Sequence, residues 1–187
     1  MVTLASLWLP ILVAAVLVFA ASSLMHMVLA YHRTDYRRVP SEDAVMDSLR
    51  SFDIPPGDYL IPCPGSPAAS RDAAFVAKRT KGPVLFATVL PSGDIVMGGR
   101  LAAWFAFCVV VGVFAGYIAS AALPPGAPYL QVFRFTSVVA FVGYALALWE
   151  LAIWYNRSVV TTLKSSFDAF VYALLTGGAF GWLWPGT

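Results

Sequence analysis

Charged residues are scarce in this chain of 187 amino acids. Asp, Glu, Lys and Arg make up 12% of the sequence, whereas a soluble globular domain carries about 25%. This shortage of solvating charge excludes an ordinary cytosolic enzyme and a disordered tail. The formal net charge of +2 is also too small to indicate nucleic-acid binding.

Cysteine and the motifs of common enzymes are scarce or missing as well. Two cysteines cannot staple a secreted module, and Cys63 and Cys108 are predicted on the reduced side of a membrane or within it, so no disulfide is expected. The sequence contains no phosphate-binding glycine loop, dinucleotide fingerprint, paired-cysteine motif, zinc-protease motif or nucleophile elbow. It therefore predicts a protein that is not an enzyme, without a cofactor and without a metal site.

Long apolar segments, in contrast, are abundant. A membrane-spanning helix needs about 20 predominantly apolar residues, and four segments of the chain reach this length with at most two charged residues each. These segments are 4–31, 101–123, 132–155 and 162–184. The sequence predicts an all-α integral membrane protein with four transmembrane helices and an insertion, 32–100, between the first two.

The distribution of basic residues predicts the orientation of these helices. Nine of the twelve Lys and Arg residues lie within 32–100, and basic residues remain on the cytoplasmic side of a membrane. We therefore expect a protein of the inner cell membrane with both termini outside and 32–100 cytoplasmic.

The insertion itself is predicted to contain short elements of mixed type. A helix begins at the N-cap Ser41 and ends near residue 51, since Ser at an N-cap and acids in the first turn stabilise a helix start. The proline-rich stretch 54–65 is predicted as an extended tether. A second helix over 71–79 and a β-hairpin of strands 84–90 and 95–97 complete the segment.

Four polar side chains fall at a similar depth, roughly 9 to 10 Å from the cytoplasmic ends of the predicted spans. They are His26, Cys108, Glu150 and Asp168. Such residues often face a bundle interior or a water-filled cavity, so one interpretation is a shared layer that binds a divalent metal or passes ions or protons. The other interpretation treats each residue separately, with Asp168 paired to Lys164 one turn away and Cys108 as a small apolar filler.

The two histidines are not predicted to act together. His26 and His32 lie six residues apart, which places them about 240° apart around a continuous α-helix. The usual spacing of paired metal ligands is therefore missing.

Glycines are spaced so that neighbouring helices can approach closely. Small residues at such positions favour helix packing within a bundle or contact with another subunit. The residues concerned are Gly112, Gly116, Gly143, Gly177 and Gly181.

The segments Pro55–Tyr59 and Phe167–Trp184 resemble uncharacterised bacterial membrane proteins, and this resemblance implies no mechanism. We expect a non-enzymatic accessory or scaffold subunit of a larger membrane assembly. Its partners would be the lipid bilayer and other membrane protein subunits or copies of itself. The alternatives are a channel or carrier that uses the polar layer, and a redox or metal-binding membrane subunit.

Overall fold

Three helical segments are long and apolar enough to cross a membrane, and this indicates a membrane protein. The computed structural model describes residues 1–186, and the three segments are Leu4–Val28, Met97–Ala122 and Tyr129–Trp154. The predicted helical architecture is thereby confirmed for these three segments. A helix also forms in the fourth predicted region, over Val159–Trp182.

The first segment changes helical type along its length. A 3₁₀ turn, Leu4–Leu7, leads into helix α1, Trp8–Ser23, which continues as a π-turn over Leu24–Val28. Near the end of α1, the hydroxyls of Ser22 and Ser23 both donate to the carbonyl of Phe19 at 2.9 Å. Such side-chain bonds to the backbone compete with regular helical bonding. The sequence predicted a helix that continues to residue 31, but the helical segment ends at Val28.

The remaining long helices begin and end close to the predicted positions. Helix α4 covers Met97–Ala122 and stops before two consecutive prolines, which cannot continue a helix. Helices α5, Tyr129–Phe141, and α6, Ala147–Trp154, are joined by a π-turn into one segment. Helix α7, Val159–Trp182, starts at the N-cap Ser158, whose hydroxyl accepts from the Thr161 amide at 3.4 Å.

Glycines occupy the closest approaches between these helices. A Cβ added to Gly177 would lie 2.9 Å from the Ser137 Cβ, and one added to Gly181 would lie 2.7 Å from the Tyr129 ring. Helices α5 and α7 therefore contact each other where a larger residue does not fit. Gly112 lies against Ile11 and Gly116 against Phe180 and Leu7, where an added Cβ would be 3.3 Å and 3.2 Å from its nearest neighbour, whereas a Cβ at Gly143 would lie 3.4 Å from Val111.

Residues Arg37–Ile95 form a separate compact unit, and the long helices form the other. The small unit contains helix α2, Glu42–Arg50, strand β1, Gly57–Ile61, helix α3, Ala73–Lys81, and strand β2, Leu85–Val89. The two strands pair antiparallel with Tyr59 opposite Ala87.

Two details of the small unit differ from the prediction. The partner of the strand at 85–89 is the stretch predicted as a tether, because the prolines at 55, 56, 62 and 64 lie outside Gly57–Ile61 and leave its amide groups free to pair. The hairpin with 95–97 was therefore wrong. Ser41 precedes α2 as predicted, but it adopts a left-handed conformation (φ 51°) and its side chain makes no capping hydrogen bond.

Candidate metal-binding site

The first helical segment ends at Val28, and the change of backbone conformation after it brings the two histidines together. Leu29 is extended, with φ −77° and ψ 131°, and a 3₁₀ turn follows over Ala30–Thr34. The ring centroids of His26 and His32 consequently lie 4.4 Å apart. The prediction that these residues do not share a site was wrong, because it assumed one continuous helix through both.

Asp168 of α7 lies close to both histidines. Its side chain is buried, with 3% of the residue exposed. One carboxylate oxygen accepts a hydrogen bond from the Tyr31 hydroxyl, and the other lies 2.8 Å from Nε2 of His32. Asp168 is the tenth residue of α7, and Tyr31 and His32 lie in the 3₁₀ turn that follows the first segment, so the site joins α7 to this turn.

Three metal-ligating groups therefore converge. One ligand atom each from His26, His32 and Asp168 lies within 4.8 Å of the other two. Ligand atoms about 2 Å from a tetrahedral zinc ion lie about 3.3 Å from one another, so modest side-chain movement would bring all three to one ion. Two imidazoles and one carboxylate suit a borderline divalent ion such as Zn²⁺, Fe²⁺ or Co²⁺, whereas Mg²⁺ and Ca²⁺ prefer oxygen ligands alone.

A second layer of side chains holds His32 in place. Nδ1 of His32 lies 2.6 Å from a carboxylate oxygen of Asp35, and the other oxygen of Asp35 accepts from Nζ of Lys164 at 2.8 Å. Lys164 also donates to the Tyr31 carbonyl at 2.6 Å and to the Thr34 hydroxyl at 2.8 Å. In metalloproteins, a carboxylate behind a ligating histidine fixes its orientation and raises its basicity.

The cluster contains two carboxylates and one ammonium group. Burial raises the pKa of Asp35, but the hydrogen bonds from Lys164 and His32 outweigh it and hold this pKa below its ordinary value. Asp35 and Asp168 as carboxylates face one ammonium group, Lys164. This excess of carboxylates favours a bound cation, because an uncompensated buried charge is costly.

Tyr31 acts as a hydrogen-bond donor at this site. Burial and the hydrogen bond to Asp168 raise the pKa of the Tyr31 hydroxyl above its ordinary value. The hydroxyl therefore keeps its proton at physiological pH and stabilises the carboxylate of Asp168.

The other members of the predicted polar layer lie elsewhere. Cys108 is 1% exposed and belongs to a buried cluster with Tyr144 and Tyr172. Glu150 is exposed and lies outside the group of converging ligands found among the described residues. The predicted pair of Lys164 with Asp168 is replaced by the pair of Lys164 with Asp35.

Sequence reasoning missed Tyr31, His32 and Asp35 as site residues. Their spacing was visible, because His32 and Asp35 are three residues apart and follow directly after an apolar segment. The sequence did not show that the first helical segment ends at Val28. Without this end, His26 and His32 would lie on different faces of one helix.

Comparison with known proteins does not identify a function for this site. No protein-family model, curated protein or solved structure matches the chain.

Proposed function

We propose that this chain is a metal-binding integral membrane protein. The observation that carries the proposal is the convergence of His26, His32 and the buried Asp168. The ligand set favours a borderline first-row divalent ion over magnesium or calcium. Asp35 would orient His32, and the excess of carboxylates in the cluster would favour the ion.

We further propose that α7 crosses the membrane as a fourth span. The helix covers Val159–Trp182, a length that is sufficient for a bilayer. Its two charged residues, Lys164 and Asp168, are engaged in the polar cluster, so they need not contact lipid. With the basic residues of 32–100 on the cytoplasmic side, both termini would lie outside.

Binding of a divalent ion is tested by isothermal titration of Co²⁺ or Zn²⁺ into the metal-free protein in detergent. We expect one ion per chain in the wild type and a loss of binding in His26→Ala. This variant is informative because His26 is exposed and contacts the cluster through the His32 ring, so its removal leaves the hydrogen bonds of Asp168 intact.

The matched control is Glu150→Gln, which removes an exposed acid of α6 that the sequence had placed at the same depth. Its affinity should equal that of the wild type. Metal binding that is absent in the wild type, or unchanged in His26→Ala, contradicts the proposal. Weakened binding in Glu150→Gln would instead support the predicted polar layer.

A role as an accessory subunit is a second proposal, favoured by the small unit. Its helix α2 and the residues directly after it expose several large apolar side chains, which a soluble segment rarely leaves uncovered. They are Val45, Met46, Leu49 and Phe52. Native mass spectrometry of protein extracted gently from its own membranes tests this role: a defined hetero-complex supports it, and a monomer contradicts it.

A further inference from the structure

Tyr172 carries a buried polar group that the protein leaves unpaired. The residue is 4% exposed, and its hydroxyl has no hydrogen-bond partner among the described residues. Buried polar groups in folded proteins are nearly always paired, and an unpaired one calls for an explanation such as a bound water or ion.

The position of Tyr172 on α7 directs this hydroxyl toward the metal-binding residues. Tyr172 follows Asp168 by four residues, so the two side chains lie on the same face of the helix. Side chains of an α-helix lean toward its N-terminus, and for Tyr172 this is the direction of Asp168.

The tyrosine ring is held in this position by its neighbours. It packs edge-on against Tyr144, with ring centroids 5.5 Å apart, and against Trp104 at 6.1 Å. Tyr172 also shares a buried cluster with Met25, the residue before His26, and Tyr31 packs against that cluster. The ring is therefore fixed within a buried cluster that borders the metal-binding residues.

A metal ion bound by only three protein side chains keeps a coordination position open for a water molecule or another small ligand. We propose that the site has such an open position, and that the Tyr172 hydroxyl donates a hydrogen bond to a small monodentate ligand held there, water or a small anion. The proposal rests on the proposed function, since it requires the metal. It deepens that function because an open, hydrogen-bonded position distinguishes a ligand-exchanging site from a closed structural one.

The experiment uses cobalt as the metal and azide as the small anion. Azide is titrated into Co²⁺-loaded wild-type, Tyr172→Phe and Tyr144→Phe protein, and the visible absorption of cobalt reports its coordination. We expect Tyr172→Phe to bind cobalt as the wild type does but to bind azide about fivefold more weakly, as for one lost hydrogen bond. Tyr144→Phe, which removes a hydroxyl from the same aromatic cluster, should bind azide as the wild type does.

Two results overturn the inference alone: no spectral response of the cobalt protein to azide, or equal azide affinity in Tyr172→Phe and the wild type. An absence of cobalt binding in the wild type overturns the proposed function as well, so the two failures are distinguishable. Thermal unfolding of the metal-free proteins provides a readout that does not depend on the anion. Because the hydroxyl is unpaired, Tyr172→Phe should not lower the unfolding temperature, and a clear decrease would show a structural partner and contradict the proposal.

Discussion

Asp35 lies outside the proposed ligand group but contacts one of its members, His32. Its carboxylate bridges Nδ1 of His32 and the ammonium group of Lys164, and the pKa of Asp35 is held below its ordinary value because these hydrogen bonds outweigh its burial. The negative charge therefore persists at physiological pH, where it favours the His32 tautomer with its proton on Nδ1, which leaves the lone pair of Nε2 for a metal ion.

This role predicts the effect of Asp35→Asn on metal affinity. We expect about a 10- to 100-fold loss of affinity, the usual effect of removing a carboxylate behind a ligating histidine, although every ligand remains. Titration of Co²⁺ into the metal-free variant measures the change, and Asp43→Asn, an exposed acid of α2, is the control. Equal affinities in Asp35→Asn and the wild type would show that Asp35 serves the fold alone.

Lys164 is expected to contribute mainly to stability. Its ammonium group makes hydrogen bonds to Tyr31, Thr34 and Asp35, so Lys164→Met leaves a largely buried carboxylate without its partner. We expect a loss of about 3 kcal/mol in the free energy of unfolding, measured by denaturation in detergent. Lys78→Met, an exposed change in α3, should have little effect.

A double-mutant cycle separates the ion pair from other effects of these substitutions. Because Lys164 and Asp35 contact each other, the loss of stability in Lys164→Met with Asp35→Asn should be smaller than the sum of the two single losses. Additive losses would contradict a direct interaction between the two side chains.

At the scale of helices, close packing of α5 against α7 depends on glycine. A Cβ at Gly177 would lie 2.9 Å from Ser137 Cβ and 3.0 Å from the Phe133 carbonyl oxygen, whereas a Cβ at Gly143 meets Val111 at 3.4 Å. We expect Gly177→Ala to destabilise the protein by about 1–3 kcal/mol, since overpacking forces backbone movement. Gly143→Ala should be neutral or stabilising because alanine favours a helix.

Thermal unfolding of the two glycine variants in the same detergent compares these effects directly. An unfolding temperature of Gly177→Ala equal to that of the wild type would show that α5 and α7 separate without cost. The same variants distinguish packing inside the chain from contact with another subunit, because a subunit contact would change the oligomeric state while the unfolding temperature of the monomer stays constant.

At the scale of the whole molecule, the orientation in the membrane can be tested with the native cysteines. Cys63 of the small unit is exposed and Cys108 is buried. If 32–100 is cytoplasmic, a membrane-impermeant maleimide should label Cys63 of the protein produced in a bacterial host only after the inner membrane of the spheroplasts is permeabilised. In the control variant Cys63→Ser, any labelling that remains comes from Cys108. Labelling of Cys63 in intact spheroplasts would contradict the proposed orientation.

The sequence by itself determined where the long apolar helices lie in the chain. Mean hydropathy and charge decide whether a segment favours lipid, and these are properties of the segment alone, so α4 and the α5–α6 segment lie within a few residues of their predicted bounds. The presence of Asp168 and His26 in apolar helices likewise predicted polar contacts there.

The tertiary structure alone decided which polar side chains meet. The sequence grouped Glu150 and Cys108 with His26 and Asp168 because all four lie at a similar depth in the membrane. Depth does not say which face of its helix a residue occupies, and the face that each helix turns toward its neighbours follows from packing. The π-turn at Leu24–Val28 and the extended Leu29 are local departures from the 3.6-residue period on which the 240° separation of the histidines depended. The pairing of Lys164 with Asp35 also joins residues 129 positions apart, and such a contact exists only once α7 packs against the turn after α1.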